Sequence, residues 1–73
     1  MFENVRKLLA EQLKIKEEYI LMSSKIKEDL GADSLDVLQL LMTIEERYGI
    51  VIPDEALVSF STVEDIVNYL DRN

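Results

Sequence analysis

The chain has 73 residues, a formal net charge of −7, and neither cysteine nor histidine. That length holds a single domain, residues 1–73, near the lower limit for folding without a disulfide or metal, so one modest core and no deep pocket are expected. The missing residue types exclude disulfides, thiolate nucleophiles, zinc sites of the usual ligand types and histidine acid–base chemistry, and any thiol has to arrive on a prosthetic group.

Hydrophobic residues at 48% against 32% charged give a globular balance, not a disordered one. Residues 1–27 hold six bases and four acids, whereas residues 28–73 hold eleven acids against Arg47 and Arg72. A field of that sign repels nucleic acid and steers the chain toward basic patches on partners. No apolar run approaches the roughly 20 residues of a membrane span. The N-terminus lacks the zones of a signal peptide, so a soluble cytoplasmic protein, and a monomer, is expected.

In chain order, Phe2, Val5, Leu9 and Leu13, with Leu8 beside them, recur at spacings of three and four and predict an amphipathic first helix over 2–14. From Lys16 to Asp33 the pattern loosens around Ser23, Ser24 and Gly31. A connection of that length exceeds the usual loop, and Ile20, Ile26 and Leu30 are the residues expected to pin it. Asp33 or Ser34 suits an N-cap, Asp36 falls in the following turn, and the second helix should run over 34–48 and stop at Gly49. Ile50, Val51 and Ile52 lead to Pro53, and a short third helix is expected over 54–58, with Asp54 and Glu55 at its positive end. Ser61-Thr62-Val63-Glu64 fits a capping box, followed by a last helix with Val63, Ile66, Val67 and Leu70 on one face and Tyr69 beside it. The expected fold is all-α: a four-helix bundle with a short third helix, a long loop between helices one and two, and no strand.

The second helix carries two apolar stripes. Val37, Leu40, Leu41, Ile44 and Tyr48 form one, and Leu35, Leu38 and Met42 form another, rotated from the first and edged by Asp36, Gln39, Glu45 and Glu46. A bundle this small buries only part of so wide an arc. The second stripe, beside Ser34, is expected to be a docking surface for a partner with a basic rim.

Glu28-Asp29-Leu30-Gly31-Ala32-Asp33-Ser34-Leu35-Asp36 resembles the phosphopantetheine attachment signature of acyl carrier proteins. Ile52-Pro53-Asp54-Glu55 resembles the family's segment after the second helix, and Thr62-Val63 with Tyr69 resembles its last helix. The likeness spans essentially the whole chain in order and spacing. It implies a carrier, not an enzyme, on which a phosphopantetheinyl transferase moves 4′-phosphopantetheine from coenzyme A to the Ser34 hydroxyl, leaving a phosphodiester and a terminal thiol. Asp33 and Leu35 flank that attachment point, and Gly31 and Ala32 are expected to leave room for an approaching enzyme. A helix N-terminus suits the phosphate. The resemblance further implies acyl cargo as a thioester in fatty acid biosynthesis, and docking of acyl-processing enzymes through Leu35, Asp36, Leu38, Met42, Glu45 and Glu46. It also implies a cleft lined by Ile26, Ile44, Ile52, Leu57, Phe60, Ile66 and Tyr69, where bulky Leu57, Phe60 and Ile66 shorten the chain accepted.

Some positions depart from the commonest fatty-acid form: Gln39 and Arg47 stand where the family usually has acids, and Val37-Leu38 and Tyr48-Gly49 also differ. A dedicated carrier for a polyketide, aminoacyl or specialised lipid pathway therefore stays open beside the fatty-acid role. A helical interaction module without chemistry leaves the nine-residue signature unexplained. A calcium loop begun at Asp29 would put Ser34 at the turn glycine and Leu40 at the bidentate glutamate, so it fails. Glu45 and Glu46 diverge by about 100° on their helix and Ser34 has no histidine to activate it, so neither makes a catalytic site.

Overall fold

The computed structural model describes residues 1–72, with the backbone alone at Asp54; Asn73, and the expectation for the Asp54 side chain, lie outside the described residues. Four α-helices follow one another: α1 Phe2–Leu13, α2 Ser34–Tyr48, α3 Asp54–Leu57 and α4 Val63–Asp71, with a 3-10 turn at Glu17–Tyr19. No strand occurs among the described residues; the nearest thing is one antiparallel bridge between Lys25 and Thr62.

The apolar spacing of α1 becomes a buried face of Val5, Leu8 and Leu9, and that of α4 a face of Val63, Ile66, Val67 and Leu70. α1 packs against both α2 and α4. Between them α2 inserts Val37, Leu40, Leu41 and Ile44, and burying a side chain of this size gains about 1.5–3 kcal/mol. Tyr48, assigned to this stripe by its spacing, is exposed. It is the last residue of α2, a turn beyond Ile44, where the chain turns away through Gly49 at φ 70°.

The long connection is ordered by burial and by hydrogen bonds to α4. Ile20 and Ile26 are fully enclosed and Leu30 packs on the core. Ser24, buried although polar, accepts the Leu21 N–H through its hydroxyl at 2.9 Å. Its carbonyl accepts the Val63 N–H at 3.0 Å, the Met22 carbonyl accepts the Glu64 N–H at 3.0 Å, and the Ile26 N–H donates to Ser61 at 2.9 Å. The loop thus satisfies N–H groups that the first turn of α4 cannot pair within itself. On its other side Arg6 of α1 lies 4.9 Å from the Phe2 ring centroid and reaches Glu17 at 3.9 Å.

The box at the start of α4 sits one residue later than the sequence pattern suggests. Thr62 is the N-cap and Asp65, not Glu64, returns the bond. The Ser61 carbonyl is held by the Ile26 N–H, and Val63 has to enter the core, which sets Thr62 as the turning residue.

Candidate functional site

The nine-residue signature folds as a closed turn leading into α2. Asp29 accepts the Lys25 N–H on its carboxylate at 2.9 Å and donates its own N–H to the Lys25 carbonyl at 2.9 Å. Gly31 takes φ 72°, a conformation that side chains rarely adopt, and a Cβ there would meet nothing within 4 Å, so backbone angle is what requires glycine. Ala32 is buried and donates to the Ile26 carbonyl at 3.1 Å. Its small side chain therefore packs on the core. Asp29 had drawn no role of its own; its spacing of four from Lys25 is the signal that could have exposed one.

Asp33 is the N-cap of α2, and Asp33 and Asp36 form a reciprocal box. Ser34 is therefore not the cap. It is exposed at the first helical position, and its hydroxyl makes no hydrogen bond among the described residues. The N–H groups of Ser34 and Leu35 likewise find no acceptor among the described residues, as geometry demands of an unextended helix start.

Beside Ser34 lies a crevice of ≈ 80 Å³ lined by Ile26, Lys27, Ser34, Val37, Leu57, Val58 and Phe60. Three of the seven expected cleft residues, Ile26, Leu57 and Phe60, border it. Ile44 and Ile66 are fully buried in the core, and Ile52 packs half-buried against it. Tyr69 stands edge-on to Phe60, ring centroids 5.7 Å apart at 75°. Val37, Lys27 and Val58 were not foreseen as lining. Val58 is 86% exposed, and nothing in its neighbours' periodicity marks it.

On the outer face of α2, Leu35, Leu38 and Met42 are exposed at 73%, 36% and 58%, with Glu45 and Glu46 exposed beside them. At 100° per residue, Leu35, Met42 and Glu46 fall within about 40° of one another. Asp36 is turned from this group. It is half-buried on the α1 side, where its carbonyl accepts the Gln12 side-chain amide at 2.5 Å and its carboxylate accepts the Asp33 N–H at 3.1 Å. A polar groove there is lined by Leu8, Glu11, Gln12, Asp36, Gln39, Thr43 and Arg47, so the departing residue Arg47 borders α1 and not the Leu38–Met42 strip.

With this geometry in place, the phosphopantetheine attachment site family matches residues 3–70. An acyl carrier protein of Campylobacter lari is 46% identical over 72 residues, covering 99% of this chain and 94% of its own. Acyl carrier proteins of Campylobacter jejuni subsp. doylei, 49% identical with 97% and 92% covered, and of Wolinella succinogenes, 44% identical with 100% and 96% covered, are similar throughout. The chain belongs to the acyl carrier protein family.

The group that this family attaches is 4′-phosphopantetheine, and the start of α2 fits it. An acyl carrier protein needs a hydroxyl that is accessible and not committed to capping, beside positive backbone potential for a phosphodiester. Ser34 offers the first because Asp33 and Asp36 carry the cap; the unpaired N–H groups of the first turn offer the second.

Proposed function

We propose that this protein carries acyl intermediates as thioesters on a 4′-phosphopantetheine arm attached at Ser34, in fatty acid biosynthesis, and that it is a carrier and not a catalyst. The observation that carries the reading is the exposed Ser34 hydroxyl, left out of a cap that its two aspartate neighbours complete. When bound, the arm supplies a terminal thiol that holds the acyl group. The chain's own part is to fix the attachment point, to receive cargo and to present docking surface. The crevice of Ile26, Leu57 and Phe60 beside Ser34 receives the proximal end of the acyl chain, and Ile44, Ile52, Ile66 and Tyr69 lie behind it as the core that a longer chain must part.

Partner enzymes, the phosphopantetheinyl transferase included, dock on Leu35, Leu38 and Met42 with Glu45 and Glu46 meeting basic side chains, while Asp36 acts through the cap. An apolar centre with a charged rim is the usual anatomy of such a contact. No helix of the described residues is long and apolar enough to cross a membrane, and we place the protein in the cytoplasm as a monomer.

Intact mass after incubation with coenzyme A and a broad-specificity transferase tests the assignment. The parent chain gains one phosphopantetheine group and Ser34→Ala gains none. A folded parent that gains nothing from several transferases would leave an interaction module. A carrier dedicated to another pathway is favoured by one feature, the exposed Gln39 and Arg47 on α2; the loaded protein accepting a malonyl group but no fatty acyl extension would select it.

A further inference from the structure

A second, wider hollow of ≈ 320 Å³ adjoins the Ser34 crevice, lined by Lys25, Lys27, Glu28, Val58, Phe60 and Ser61. Lys27, Val58 and Phe60 border both depressions, which therefore lie side by side. These three residues share the crevice with Ser34, and beyond them the surface reaches Lys25, Glu28 and Ser61. The backbone sets this arrangement. Lys25 bridges Thr62 in extended conformation, and Ile26, with its N–H on Ser61, points into the core. From Ile26 the chain enters a turn closed by the Asp29 N–H on the Lys25 carbonyl at 2.9 Å, and Lys25 and Lys27 stay exposed on either side of the buried Ile26.

The sign of this hollow is opposite to its surroundings, since residues 28–73 hold eleven acids against two bases. Lys25 shares its charge with Glu28 at 3.5 Å, both well exposed, an arrangement that contributes little. Lys27 makes no ion pair among the described residues. Its ammonium is therefore uncommitted, and Lys27 borders the same crevice as Ser34.

We infer that this hollow is the resting seat of the prosthetic arm, with Lys27 as the positioning residue for its phosphodiester; the inference rests on attachment at Ser34. An arm of this class is anionic at its root, branched and apolar next, and amide-bearing beyond. Lys27 meets the charge, Val58 and Phe60 meet the dimethyl branch, and Lys25 with Ser61 meets the amide carbonyls. Seated this way, the arm lies against the loop and the α3–α4 connection, away from the Leu38–Met42 strip, and leaves that strip accessible.

The test is heteronuclear NMR of the loaded chain carrying an isotope-labelled arm, with loading checked by intact mass, in the parent, Lys27→Glu, Val58→Ser and a Lys7→Glu control on α1. Loading is expected to shift the amides of Lys27, Val58, Phe60 and Ser61. The arm amides should show order parameters above roughly 0.6 in the parent and control, and below it in Lys27→Glu and Val58→Ser. Salt near 1 M, where screening acts within about 3 Å, should loosen the parent in the same way. A fully loaded parent whose arm is as mobile as in Lys27→Glu, or whose shifts stop at residues 33–37, overturns the seat and leaves the carrier reading standing. No mass gain overturns both.

Discussion

Asp33 and Asp36 bond each other's backbone across Ser34: the Asp36 N–H donates to the Asp33 carboxylate at 3.0 Å, and the Asp33 N–H donates to the Asp36 carboxylate at 3.1 Å. The two aspartates thereby cap the helix without Ser34, so that, with attachment at Ser34 as proposed, stability and modification fall to neighbouring residues. Ser34→Ala should leave unfolding free energy within about 0.5 kcal/mol of the parent while abolishing loading. Asp33→Ala should lower stability by about 1 kcal/mol, as loss of an N-cap does. Paired urea melts of the apo proteins check this, and a Ser34→Ala loss as large as that of Asp33→Ala would mean that the hydroxyl caps the helix after all.

Ile20 and Leu21 are adjacent in sequence and opposite in role, one fully enclosed and the other 55% exposed. Ile20→Ala removes a core side chain and should cost about 2–5 kcal/mol. A domain of this size is marginal, so the variant should be largely unfolded at 37 °C by circular dichroism. Leu21→Ala should melt within a few degrees of the parent. Equal melting temperatures for the two would show that the loop is not held through Ile20.

How much of this was readable beforehand follows from which forces are local. The bounds of α2 depend on Asp33 at one end and Gly49 at the other, both strong local signals, and the structure gives Ser34–Tyr48 as expected. The anchors Ile20, Ile26 and Leu30 were legible because apolar residues in an otherwise polar loop have few alternatives. The register of the last capping box was not, since Ser61-Glu64 and Thr62-Asp65 are equivalent patterns locally and the choice is made by the Ser61 bond to Ile26. The exposed strip of Leu35, Leu38 and Met42 followed from helical periodicity. The crevice lining of Lys27 and Val58 did not, because it arises from two loops that meet only in three dimensions.

Asp65 carries a pH signature. Its carboxylate accepts the Ser61 N–H at 2.8 Å and the Thr62 N–H at 3.0 Å, and these bonds, that from Ser61 first, hold its pKa below the ordinary 3.8. A carboxyl depressed by folding contributes stability that is fully present above its unfolded value and is lost as pH falls through the folded one. Asp65→Asn should therefore melt below the parent at pH 7, by about 1 kcal/mol for one charge-assisted bond weakened. The gap should close as pH falls below about 4. A gap that stays constant to pH 2.5 would assign the loss to shape, not charge.

Docking on the outer face of α2, as proposed, would involve two separable kinds of contact. Met42→Ser removes exposed apolar surface and should raise Kd for the transferase about tenfold or more, mainly through faster dissociation, if Met42 is a central anchor. Glu45→Gln with Glu46→Gln should instead slow association and flatten its salt dependence. Neither change touches a buried residue, so melting temperatures should hold. Binding kinetics at two ionic strengths distinguish them, and unchanged kinetics in both variants would move the docking surface elsewhere, the Arg47 groove being the next place to look.

As the proposed seat of the acyl chain, the crevice would set a limit on cargo. Its ≈ 80 Å³ admits only the first methylenes of a chain entering between Leu57 and Phe60. Ile44 and Ile66, expected to line a longer cleft, do not border the crevice and are fully buried in the core. Each further methylene gains about 0.8 kcal/mol on leaving water, but it has to displace close-packed side chains, and overpacking costs about 1–3 kcal/mol. The thermal shift on acylation should therefore rise over short chains and then level off or fall. Phe60→Ala, although less stable when apo, should extend the rise to longer chains because it enlarges the mouth and frees the Tyr69 edge contact. Differential scanning calorimetry across an acyl series reads this directly. Shifts that keep climbing with chain length in the parent would show that α3 swings open and the core rearranges around its cargo.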